Sequence, residues 1–246
     1  MSDSEEPEPI EDEERAEPRK SKYDKRRLPQ KIIPIPNADK VGWTERWTKG
    51  RKPANIPHPF RGCLLGNCGV GKSTLSKNLV LHQHPPFTKI TIIHCDMETK
   101  EYDDLEPNEI LDEVPDPSYW EKDGKHLVII DDVDFGAASK DQMKNLSRLA
   151  GYCSTHKSIS LLVCFQEFFH TPKILRRLCN FYVLWRPNDM ESLATIGRKV
   201  GLKTKDIREI FDKLLPEKRD SLCIDLSDGT PYPLRKNIFE IIKRQS

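Results

Sequence analysis

The chain has 246 residues, 36% hydrophobic and 32% charged, with a formal net charge of +1, room for one globular unit with appendages. No apolar run reaches the ~18 residues that cross a bilayer, and the acidic beginning is a poor secretory signal, so a soluble, intracellular protein without a membrane partner is expected. Seven cysteines, odd in number and without a CxxC pair, argue for buried free thiols and against a disulfide framework or a zinc site.

Residues 1–18 (MSDSEEPEPIEDEERAEP) are nearly all Asp, Glu, Pro and Ser. Such a composition buries too little apolar surface to offset its ordering entropy, so disorder is expected. Residues 19–31 (RKSKYDKRRLPQK) reverse the sign. A basic block beside an acidic one is open to several readings: a nuclear-import signal, a nucleic-acid tether, an intramolecular clamp, or a solvated tail. Together 1–31 read as a tail, and the Pro-rich stretch 32–59 as a linker along the domain surface, with Trp43 and Trp47 as pins.

From Phe60 to the end, 60–246, apolar runs of strand length alternate with helix-like stretches. This predicts an α/β, doubly wound, mainly parallel sheet. Strands are expected at 60–65, 89–95, 126–131, 158–166 and 180–185, as continuous aliphatic runs covered on both faces. Helices are expected at about 72–83, 139–155, 189–199 and 204–214. The acidic stretch 96–125 shows little periodicity and reads as a surface insertion. After Leu215, a strand, an Asp228-Gly229 turn and a returning strand predict a C-terminal hairpin, followed by a short helical tail.

The first strand runs into GNCGVGKST, which fits G-x-x-x-x-G-K-[ST] with Gly66, Gly71, Lys72 and Ser73 in place. In such a loop the backbone amides converge on phosphates and the glycines let the backbone approach. The lysine reaches the β and γ oxygens, and the hydroxyl holds magnesium. The expected ATP-binding residues are Gly66, Asn67, Cys68, Gly69, Val70, Gly71, Lys72, Ser73 and Thr74, in a P-loop NTPase fold.

A phosphate loop also needs an acid on the magnesium side. HLVIIDDVD supplies two: Asp131 as the expected metal-side carboxylate with Ser73, and Asp132 as the residue that polarises the attacking water. The plainer alternative is that Asp132 and Asp134 cap the following turn. Gln166, closing the strand LLVCFQ, falls at the sheet edge where ligands of open α/β sheets bind, suited to sensing the γ-phosphate. For an arginine that neutralises charge on the transferred phosphoryl group, Arg148 and Arg186 are the candidates.

The stretches LLGNCGVGKSTL, HLVIIDDVDF, SISLLVCFQEFFHTPKILRRLCNFYVLWR and SLCIDL together resemble the genome-packaging ATPases of large and polinton-like double-stranded DNA viruses. That family lies within the superfamily that also holds the FtsK and HerA DNA translocases. The resemblance spans roughly residues 60–237. It implies a Mg2+-dependent, ATP-driven motor, often a homo-oligomeric ring, that threads double-stranded DNA without sequence preference into a capsid through contacts with capsid proteins. The basic block from Arg19 leans toward the host nucleus as the working place, with a viral assembly site the alternative, and could equally be a contact for DNA or for a capsid protein. By position, Lys72 and Ser73 match the family's phosphate and magnesium residues, Asp131 its metal-side acid, Asp132 its catalytic acid and Gln166 its sensor. Phe165 stands where the family often has a small hydroxyl, and His156 and Lys157 where more arginine is expected. Two other classes share parts of this pattern. A helicase would add single-strand stacking aromatics, for which Phe168 and Phe169 are candidates; a nucleotide kinase would need an acceptor pocket and an arginine-rich lid, for which 96–125 is a candidate but a mostly acidic one, poor for binding a phosphorylated acceptor.

Overall fold

The computed structural model describes residues 45–187 and 189–243. The tail 1–31, the first part of the linker and Trp43 lie outside the described residues.

Nine strands form one sheet among the described residues. In chain order they are β1 (Arg61–Leu65), β2 (Lys89–His94), β3 (Glu109–Leu111), β4 (His126–Asp131), β5 (Ile159–Phe165), β6 (Phe181–Trp185), β7 (Ser221–Asp225), β8 (Leu234–Lys236) and β9 (Glu240–Ile241). The helices are α1 (Lys72–Leu81), α2 (Lys140–Arg148), α3 (Ser154–His156), α4 (Lys173–Leu178), α5 (Met190–Lys199) and α6 (Thr204–Lys213). The spatial order of the sheet is β3-β2-β4-β5-β1-β6-β7-β8-β9. The six strands from β3 to β6 are parallel, and β7, β8 and β9 extend them antiparallel. The expected doubly wound α/β sheet is therefore the observed one.

Alternate residues of each central strand feed two apolar layers. Cys63, Val128, Ile130, Leu161, Val163 and Tyr182 face one, packed with residues of α2, α4, α5 and α6. Leu64, Leu127, Ile129, Leu162, Phe181 and Val183 face the other, covered by α1. Burial on both faces is why these strands read as unbroken apolar runs. The expected helix at 139–155 is α2 joined to α3 through a π turn, Leu149–Cys153. Its start is set by Ser139, whose hydroxyl accepts the Gln142 N–H.

Three expectations change. The stretch 96–125 is no surface insertion: it contributes the edge strand β3, parallel to β2, and buries Tyr102, Leu105, Val114 and Trp120. Lys157 holds its far end, donating from Nζ to the Pro117 carbonyl at 2.7 Å and to that of Trp120. In place of the expected helical tail, Glu240–Ile241 form β9, because Arg235 and Lys236 of β8 offer a free edge with which Ile241 and Glu240 pair. Of the Pro-rich stretch, Ala54 and Ile56 are buried in the α1-side layer, while Trp47 packs against its border.

The C-terminal hairpin is present, with Thr230 N–H returning to the Ser227 carbonyl at 3.2 Å. Its inner face carries a buried ion pair, Arg235 Nη1 to Asp225 Oδ2 at 3.1 Å. Five cysteines are buried free thiols, whereas Cys68 and Cys95 are exposed because they sit in the loops that leave β1 and β2.

Candidate active site

In an open parallel sheet the crevice beyond the carboxyl ends of the strands collects the loops that can touch a ligand. The order β4-β5-β1 places the end of β5 between the phosphate loop and the two acids, so Gln166 stands between them by topology.

The loop begins where β1–β5 pairing runs on by one bond, Gly66 N–H to the Phe165 carbonyl at 3.1 Å. A Cβ on Gly66 would lie 2.9 Å from Val70 Cγ2 and 3.0 Å from Trp185 Cβ, so the close packing of the loop on β6 demands glycine. Gly71, with φ 103°, turns the chain into α1. No side chain caps α1 and its first turn holds no acid. Its leading amides are therefore open to an anion, and the helix dipole favours negative charge there. Lys72 curls back over the loop, Nζ donating to the carbonyls of Gly66 at 2.8 Å and Asn67 at 3.1 Å.

Asp131 ends β4 and is buried. Its Oδ2 accepts from the Tyr102 hydroxyl at 2.5 Å and from Ser73 Oγ at 3.4 Å. Burial raises its pKa above the ordinary carboxylate value, while the Tyr102 hydrogen bond pulls it back down. Asp132 follows in the left-handed region, φ 51°, a conformation Asp tolerates better than most residues. The kink turns its carboxylate outward, 58% exposed and 3.8 Å from His94 Nε2.

Residues 68–75, Asp131, Asp132, Gln166, Trp185, Arg219 and Asn237 line one cleft of about 490 Å³. A smaller space of about 210 Å³ opens between Lys72, Asp132 and Gln166. Thus Cys68, Gly69, Val70, Gly71, Lys72, Ser73, Thr74, Asp131, Asp132 and Gln166 come together. Gly66 and Asn67 instead line an adjoining, mostly apolar cavity of about 230 Å³ with Phe168 and Phe169.

Arg148 and Arg186 are not brought to this cleft. Arg148 pairs with Asp116 at 3.9 Å on the exposed side of α2. Arg186 pairs with Asp212 at 2.9 Å and lies over the Phe211 ring of α6. The arginine that lines the cleft is Arg219, in the turn before β7, its carbonyl accepting from Trp185 Nε1 at 3.2 Å. No motif marks Arg219; it arrives because β7 returns antiparallel beside β6.

No protein family and no curated protein matches the sequence. Solved structures do match in fold. The genome packaging NTPase B204 of Sulfolobus turreted icosahedral virus 2, in complex with sulfate, superposes with TM-score 0.52 at 15% identity, over 77% of this chain and 100% of that one. The same NTPase with AMPPCP gives TM-score 0.50 at 14% identity, over 76% and 99%. The cytoplasmic domain of the Thermomonospora curvata Type VII secretion ATPase EccC gives 0.50 at 13% identity, over 73% of this chain and 25% of that one. The fold is that of the P-loop ATPases. In this P-loop fold the β1–α1 turn, the end of β4 and the end of β5 converge on one crevice.

Among the described residues no group of three or more His, Cys, Asp or Glu could by itself hold a metal ion. What is present is a hydroxyl beside a buried carboxylate, an all-oxygen pair that suits a hard cation such as Mg2+, which keeps several waters and shares substrate phosphates. No helix among the described residues is long and apolar enough to cross a membrane.

Proposed function

We propose that this chain is the ATP-hydrolysing motor subunit of a packaging machine that moves double-stranded viral DNA into a capsid. The observation that carries the reading is the meeting of Lys72, Ser73, Asp131, Asp132 and Gln166 at one cleft. It is supported by a fold likeness that runs the whole length of a packaging NTPase.

The triphosphate lies along the loop, its β and γ oxygens taking the amides at the start of α1. Lys72 leaves the Gly66 and Asn67 carbonyls for the phosphates, exchanging neutral acceptors for charged ones. Ser73 and Asp131 would hold Mg2+, which would supply positive charge to the phosphates. Asp132, outside the metal pair, polarises the attacking water, and Gln166 orients it from the end of β5. A hydrolytic role follows better than transfer to a second substrate, because the segment 96–125 that a kinase would use as a lid is built into the sheet edge.

The duplex is gripped through its phosphates, so binding is independent of sequence and weakened by salt. Lys199, Lys203 and Lys205 are the candidate contacts. Subunits form a ring, in which Arg148 or Arg186 acts on a neighbour's cleft, and capsid proteins dock on the assembly, at an assembly site or in the nucleus.

One observation favours a helicase as the second reading: Phe169, just past Gln166, is 45% exposed with the Arg176 guanidinium 5.8 Å above its ring, a stacking platform for an unpaired base. The deciding experiment is the ATPase rate of the full chain with double-stranded DNA, single-stranded DNA and none, alongside the size of the assembly. Duplex stimulation of an oligomer is expected. Stimulation by single strands alone, from a monomer, overturns the packaging reading in favour of the helicase.

A further inference from the structure

A second titratable side chain faces Asp132, and the phosphate-loop motif does not account for it. His94 ends β2 opposite Asp131 in the β2–β4 register, which sets its ring beside the acid that follows. The side chain is only 8% exposed, and a buried imidazole needs partners for both nitrogens. Nδ1 accepts the Asp96 backbone N–H at 2.9 Å. The other tautomer would send Nδ1–H to the Asp96 carbonyl at 3.0 Å, leaving the Asp96 amide without that acceptor. The Asp96 carbonyl already accepts from Thr99 N–H at 3.3 Å. The proton of the neutral ring therefore sits on Nε2, the nitrogen 3.8 Å from Asp132 Oδ2.

Among the described residues His94 is the one side chain paired with the Asp132 carboxylate. At 58% exposed the carboxylate has little else to fix it, and an unfixed acid aligns a water poorly, since about 1 Å of misplacement can cost on the order of a hundredfold in rate. We infer that His94 is a positioning residue: its Nε2–H holds Oδ2 of Asp132 and leaves the other oxygen facing the attacking water. The present separation of 3.8 Å is longer than a hydrogen bond, and contacts of this kind tighten when substrate fills the site. The inference rests on the proposed role of Asp132.

The two amide substitutions separate this role from a purely structural one. Asparagine at 94 reproduces the Nδ1 position and keeps the Asp96 turn; glutamine reaches the Nε2 position and keeps the donor to Asp132. Steady-state ATP hydrolysis by the full chain should show His94→Asn with kcat lowered about tenfold or more and KM changed less than about threefold. His94→Gln should recover kcat to within about threefold of the parent. The reverse order, equal losses in both, or no loss in either overturns the inference; thermal unfolding of each variant identifies a loss that comes from misfolding. Asp132→Asn is assayed alongside: turnover near the parent rate there would sink the role of Asp132 itself, whereas an inactive Asp132→Asn beside a fully active His94→Asn sinks the inference about His94 alone.

Discussion

Tyr102 and Asp131, twenty-nine residues apart in sequence, share a buried hydrogen bond of 2.5 Å from the phenol to the carboxylate Oδ2. The acidic segment 96–125 is thereby tied to the Asp131 side of the cleft. Tyr102→Phe removes a bond to a charged acceptor, worth about 1.5–3 kcal/mol. A loss of stability in that range is expected from denaturant unfolding, with a lower ATPase rate at fixed Mg2+ that rising Mg2+ partly restores.

Lys72→Ala and Asp132→Asn should fail differently. The first removes the charge proposed to hold the β and γ oxygens, and both ATP affinity and turnover should fall. The second keeps the phosphate loop, so ATP binds while hydrolysis drops by a factor of about 10² or more. Equilibrium binding of ATP measured beside the rate tells the two apart.

Arg219 lines the cleft while Arg148 and Arg186 are engaged elsewhere in the same chain. Arg219→Ala should raise the KM for ATP about tenfold, the loss of one charged hydrogen bond. Arg148→Ala and Arg186→Ala should leave ATP affinity within about twofold, as for other exposed sites. If either acts on a neighbouring subunit, its effect appears as slower turnover in the assembled form. Titrating ATP against each variant and against assembly state checks all three.

Arg235 is fully buried, with Asp225 as its ion-pair partner and the rings of Trp47 and Phe181 each 5.8 Å away. Arg235→Met strands the Asp225 charge and should cost about 3–5 kcal/mol. Replacing both, Arg235→Met with Asp225→Leu, should recover most of it, since the desolvation of both charges disappears together. Urea unfolding of the two variants is the measurement.

His58 and His126 are buried, and burial above all lowers each pKa from 6.5 to about 4. Below pH 6.5 the unfolded chain takes up protons that the folded chain refuses. Their contribution is thus fully present above pH 6.5, and is lost as pH falls toward about 4, with a slope of up to ~1.4 kcal/mol per pH unit for each histidine. His58→Asn, whose amide takes the Nδ1 position 2.8 Å from Ser160 Oγ, should remove the His58 share of that slope and leave the His126 share in a pH series of unfolding curves.

The sequence by itself determined the strands that are buried on both faces, because such strands must be continuous aliphatic runs. It also determined the phosphate loop, because cradling phosphates requires glycine, lysine and hydroxyl at fixed spacing within a dozen residues. Asp131, Asp132 and Gln166 were legible for a related reason: Asp131 and Gln166 are each the first polar residue after an apolar run, Asp132 follows Asp131 directly, and a parallel sheet sends all such ends to one edge. Only the tertiary structure decided what depends on pairing between distant segments. The stretch 96–125 has no periodicity of its own since its order comes from β2 and Lys157, and so Tyr102 was hidden as a partner of Asp131. Arg219 enters the cleft through the antiparallel return of β7, and His94 reaches Asp132 through the β2–β4 register. Local pattern reports what a residue does within its own strand or helix; which side chains meet across the sheet edge is set by strand order, and strand order is a non-local outcome of packing.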